Sequence, residues 1–132
     1  MRNAECGMRE EENGFMDELQ GLTRTFALET IRFVESLNKS QTHAVIGKQL
    51  LRSGTSVGAN YRAAVRAKST ADFVSKMGTV EEEADECLYW MDLLIEAGQV
   101  SMERLESLRG HANLIVAMTV NSIKTARSRL SS

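Results

Sequence analysis

Apolar residues recur along this chain at alternating intervals of three and four, the spacing that gathers side chains on one face of an α-helix. The first stripe runs Phe15, Leu19, Leu22, Phe26, Phe33 and Leu37, with Thr30 as its one polar member and Ile31 and Val34 widening the face. It predicts a helix that starts at Phe15 and ends near Asn38. Ser40, whose hydroxyl can accept a hydrogen bond from a first-turn amide, opens a second segment that runs to Lys68. Ser69-Thr70-Ala71-Asp72 reads as a capping box, and Phe73, Met77, Val80, Ala84, Cys87, Met91 and Leu94 form an unbroken seam behind it. Gly98 supplies the stop and Ser101 the next cap; Leu105, Leu108, Ala112, Ile115, Val116, Thr119 and Ile123 then line a fourth helix. Short links between four amphipathic helices imply antiparallel neighbours, so the predicted fold is all-α, an antiparallel up-down-up-down four-helix bundle.

The second segment is the one whose composition disputes its periodicity. QLLRSGTSVGANYRAAVRAK, residues 49–68, contains two glycines, three small hydroxyl residues and an asparagine, the vocabulary of a turn. On a wheel of about 100° per residue these residues nonetheless sort by face. Lys48, Arg52, Thr55, Ala59, Arg62 and Arg66 share one sector; Ile46, Leu50, Ser53, Val57, Tyr61 and Ala64 lie opposite. Gly47, Gly54 and Gly58 gather on one flank, and Gln49, Ser56, Asn60 and Ala67 on the other. The stretch is therefore a helix. Each interior glycine disfavours it by about 1 kcal/mol relative to alanine, and close approach of a second backbone is the gain that offsets this. Gly54 and Gly58 thus mark a packing surface, within the bundle or between subunits. A phosphate loop would need a preceding strand and a GxxxxGK[ST] spacing, and RSGTSVGANY has neither the strand nor the lysine.

Length and composition agree with one domain. The chain has 132 residues, no proline and 5% aromatic residues, which favours helix over sheet. Residues 15–128 are expected to form the single bundle domain; residues 1–14, charged and poor in apolar side chains, are expected to be a disordered tail. No internal repeat or linker divides the chain. No apolar run approaches the roughly 18 residues of a membrane span, and MRNAECGMREEENGF is too acidic for a signal peptide. Cys6 and Cys87 read as free thiols of a cytoplasmic protein.

Charge sharpens the picture. The net formal charge is only -2, which argues against indiscriminate coating of nucleic acid. Residues 20–80 nevertheless carry nine bases and three acids, and residues 81–106 one base and nine acids, so the near-neutral total hides a basic second quarter and an acidic third one. Lys48, Arg52, Arg62 and Arg66 form the candidate nucleic-acid-binding line, with Arg24, Arg32 and Lys68 as possible neighbours. Its plainer alternative is a solvated face, or one paired with acids of helix three, each exposed pair contributing about 0 to 1 kcal/mol.

Other chemistry is absent from the pattern. A di-iron bundle needs Glu-x-x-His on two helices, an arrangement that neither His43 nor His111 occupies, so no metal site is expected. Both histidines fall near helix starts or at exposed positions, and nothing ties either to a nucleophile, so no catalytic residue and no cofactor is expected. Glu83 and Glu86 share a helix face and read as a surface that meets arginines. Asn60 is expected to satisfy a neighbouring polar group, Tyr61 to lie in the core, and Trp90 to serve core or subunit packing.

QLLRSGTSVGANYRAA, with LTRTFALE upstream and DFVSKM and EADECLYWMDLL downstream, resembles a bacterial four-helix-bundle family. That family is named after proteins encoded in intervening sequences of large-subunit ribosomal RNA genes, and the resemblance covers residues 22–124. It implies a four-helix protomer assembled into a ring-like homopentamer without a catalytic site. The family is also distantly similar to the accessory variability protein of diversity-generating retroelements, a basic pentamer that binds nucleic acid and a reverse transcriptase. The partners so implied are further copies of the chain, RNA or another nucleic acid, or a protein, with no membrane.

Overall fold

A computed structural model describes residues 10–130, and four helices account for nearly all of them. They are α1 (Glu10–Glu35), α2 (Gln41–Val65), α3 (Thr70–Glu96) and α4 (Met102–Leu130). Each packs along the next and α4 packs back on α1, so the helices surround one core in chain order as an all-α four-helix bundle. The first helix begins at Glu10, five residues before the expected start at Phe15, so residues 10–14 of the expected tail are helical; residues 1–9 lie outside the described residues.

The caps follow from local chemistry. Ser40 Oγ accepts from the His43 amide at 3.2 Å, Ser69 Oγ from the Asp72 amide at 3.0 Å and Ser101 Oγ from the Arg104 amide at 3.3 Å. The Asp72 carboxylate reaches back to the Lys68 amide at 3.3 Å, one residue before the cap, and so satisfies a second free donor. At the end of α3, Gly98 takes φ 70°, the left-handed turn that a side chain would disfavour.

The core follows the seams. All seven expected positions of α3 are buried, as are Leu50, Ser53, Val57, Tyr61 and Ala64 of α2 and Leu105, Leu108, Ala112, Ile115, Thr119 and Ile123 of α4. On α1 the buried line is Met16, Leu19, Thr23, Phe26, Thr30 and Phe33, which is rotated slightly from the expected stripe. Phe15 and Leu22 lie at its margin and Ile31 faces outward, 39% exposed. Two threonines take inward places because α2 brings backbone to them.

That approach sets the α1–α2 packing. A Cβ on Gly54 would stand 2.7 Å from Thr30 Cγ2; one on Gly58 would meet the Thr23 carbonyl at 3.5 Å, and one on Gly47 would meet Leu37 Cδ1 at 3.2 Å. Positions 47, 54 and 58 thus meet positions 37, 30 and 23, a register that runs antiparallel. Thr30 and Thr23 return their hydroxyl protons to the carbonyls of Phe26 and Gln20, so neither is an unsatisfied polar group at the contact. Tyr61 continues the register, donating its hydroxyl to the Met16 carbonyl at 2.9 Å. Burial, with the nearby Asp17 charge, raises the Tyr61 pKa well above its usual value.

Candidate nucleic-acid interface

The helix that turns its glycines toward α1 turns its bases outward. Lys48, Arg62 and Arg66 are exposed and form no ion pair among the described residues. Thr55 and Ala59, also exposed, separate Lys48 from Arg62 on this face. Thr55 donates its hydroxyl to the Leu51 carbonyl at 2.8 Å, so the middle of the face is small and locally satisfied.

Arg52 is placed differently from its neighbours in the line. Its guanidinium turns toward α3, where Nη1 lies 3.2 Å from Glu83 Oε2 and Nη2 donates to Glu86 Oε1. Trp90 Nε1 donates to that same Glu86 oxygen at 3.2 Å. Partial burial works to raise the Glu86 pKa, but the hydrogen bonds from Arg52 and Trp90 outweigh it and the carboxyl ends below its ordinary value. The two carboxylates in turn raise the Arg52 pKa, Glu86 through its hydrogen bond most of all. The cluster is an α2–α3 tie, and it neutralises the one cation of the line that stands beside the acids.

Other expected positions divide between packing and surface. Asn60 donates Nδ2 to the Ser56 carbonyl at 2.8 Å, a bond within its own helix. Trp90 is half-buried, and its ring meets exposed Tyr89 edge to face, with centroids 5.0 Å apart. Arg24 and Arg32 of α1 are exposed, as is Lys68 in the α2–α3 link. His43 falls in the first turn of α2, where it is buried, and among the described residues neither of its ring nitrogens has a hydrogen-bond partner. His111 is half-buried, with Nδ1 2.6 Å from Glu29 Oε1. Among the described residues no group of three or more His, Cys, Asp or Glu is placed to hold a metal ion.

Several ties between helices have no signature in spacing. Ser107 donates to Glu29 Oε2 at 2.6 Å, Arg104 bonds the Ser36 carbonyl at 3.1 Å and lies 5.4 Å from the Phe33 ring centre, and Arg109 holds Asp92 at 2.8 Å. Those linking α1 to α4 join residues about 70 to 80 positions apart, and only the folded bundle brings them together.

The fold and its faces define a class, an all-helical four-helix bundle with charged outer surfaces. Residues 18–121 match the profile of the 23S rRNA-intervening sequence protein family, and the chain belongs to that family. It is also similar to a solved structure from Bacteroides thetaiotaomicron VPI-5482, a protein with unknown function from the S23 ribosomal protein family. Identity is 34%, the TM-score is 0.78, and the match covers 83% of this chain and 98% of the other. No curated protein matches the sequence. Among the described residues no helix is long and apolar enough to cross a membrane.

Proposed function

We propose that this chain is a non-enzymatic cytoplasmic protein that assembles into a ring-like homo-oligomer, a pentamer, and binds nucleic acid through the outer face of α2. RNA, free or in a ribonucleoprotein, is the favoured ligand. The observation that carries this reading is the exposed set Lys48, Arg62 and Arg66, cations on one face of one helix with no ion pair among the described residues. Arg52 lies at the inner edge of the set with its charge compensated by Glu83 and Glu86. Repeated around a ring, three free cations per subunit become a band that can follow a phosphate backbone and release its counterions. The small residues Thr55 and Ala59 between them let a strand approach the helix closely. The family's name, which refers to 23S rRNA, supports RNA over DNA.

A second reading, a protein-interaction scaffold without nucleic-acid binding, is favoured by the acidic third helix and the net charge of -2. Titration of single- and double-stranded RNA and DNA across a salt series separates the two. The first reading expects salt-sensitive binding that is lost in Lys48→Glu/Arg62→Glu/Arg66→Glu while subunit number is kept. Absence of binding even at low salt rejects it in favour of the scaffold.

A further inference from the structure

Two exposed faces on opposite sides of the bundle have the same layout and opposite charge. On the outer face of α1, Leu28 and Ile31 stand 44% and 39% exposed between Arg24 and Arg32. Neither arginine forms an ion pair among the described residues. Of the exposed acids of α1, Asp17 and Glu18 lie more than a turn before Arg24, and Glu35 lies one turn beyond Ile31, at the C-terminal edge of the patch. On the outer face of α3, Tyr89 stands 56% exposed, with Glu82 and Asp85 on one side and Glu96 on the other. These acids also lack an ion pair among the described residues, and no base of α3 shares their face, since Lys76 is turned to Asp72.

The spacings fit each other. Arg24 and Arg32 are eight residues apart, about 12 Å along a helix, and Asp85 and Glu96 are eleven apart, about 16 Å. Flexible arginine side chains span that difference. Laid together, the faces put an aromatic ring against two aliphatic side chains and flank that contact with opposite charges at both ends. A hydrophobic centre with a charged rim is the anatomy of a specific protein interface.

We propose that the α3 face centred on Tyr89 docks on the α1 face centred on Leu28 and Ile31 of a second copy of this chain. The contact is heterologous, joining two different patches, and such contacts close into rings when the rotation per subunit allows. It rests on the assembly proposed above and assigns the surfaces that build it. It also leaves the basic face of α2 outside the contact and open to nucleic acid.

The test is the subunit number of the full chain by light scattering and sedimentation, for the wild type and two charge reversals, Arg24→Glu/Arg32→Glu and Asp85→Arg/Glu96→Arg. Helical circular dichroism and melting curves establish that each variant is folded. Each reversal alone is expected to raise the subunit dissociation constant at least about 100-fold. A chain that carries all four substitutions is expected to regain the wild-type mass, because every contact around the ring then joins two reversed faces. Either reversal alone, if folded and still at the wild-type mass, overturns the proposal, as does a folded four-substitution chain that fails to assemble. A monomeric wild type overturns this proposal and the ring together. If the reversals and the four-substitution chain behave as expected but no RNA binds, the interface stands and only the nucleic-acid reading falls.

Discussion

Gly54 sits against Thr30 so closely that a single added Cβ would come within 2.7 Å of the threonine methyl and 2.8 Å of its hydroxyl. Thr30 is fully buried and branched at Cβ, so it has little freedom to move aside. Gly54→Ala therefore loses more through overpacking, about 1 to 3 kcal/mol, than it gains in helix propensity, about 1 kcal/mol. A lower Tm is expected, and Thr30→Ala should restore most of the loss in a double-mutant cycle. Gly110 is the control: nothing lies within 4 Å of its added Cβ, and Gly110→Ala should stabilise the protein by about 0.5 to 1 kcal/mol.

The tie from Arg52 to Glu83 and Glu86 is expected to be sensitive to acid. The folded-state pKa of Glu86 lies below its unfolded value, so its contribution is present above the ordinary carboxylate range and is lost as pH falls through the depressed value. Denaturant midpoints measured from pH 7 to pH 3 should fall more steeply for the wild type than for Glu86→Gln. The difference at pH 7 should be modest, since Arg52 is half exposed and solvent screens the pair.

Cys87 should resist thiol reagents. Burial, reinforced by the Glu83 and Glu86 charges, pushes its thiol up to about 12, so almost no thiolate exists at neutral pH. In a Cys6→Ser background, labelling at pH 7 should proceed only at the rate of unfolding and should accelerate sharply in denaturant. Rapid labelling of the native protein would contradict the burial.

His43 should be replaceable with profit. It is 4% exposed, its two ring nitrogens lack partners among the described residues, and its helix-capping role is carried by its backbone amide on Ser40. An unsatisfied buried polar group costs about 1 to 3 kcal/mol. His43→Leu is therefore expected to raise stability by about 1 kcal/mol, read as a higher denaturant midpoint at unchanged slope. A fall would mean that the imidazole fills its site in a way leucine cannot.

Periodicity alone determined the four helices, their serine caps and most of the core, because a buried helical face must repeat at 3.6 residues and a chain entering a helix must satisfy its first amides. The α3 seam was legible to the residue, since no polar position interrupts it. It also sorted the glycines of α2 onto one flank. Periodicity did not show which helix that flank meets, because only packing decides it; Thr30 reads as a polar interruption of the stripe, and Thr23 lies off it, until α2 packs against both. Arg52 shared a sector with Lys48, Arg62 and Arg66 on the wheel, yet the bundle hands it to Glu83 and Glu86. A side chain's angle on its own helix is a local property, whereas the charge it meets depends on which helix stands beside it.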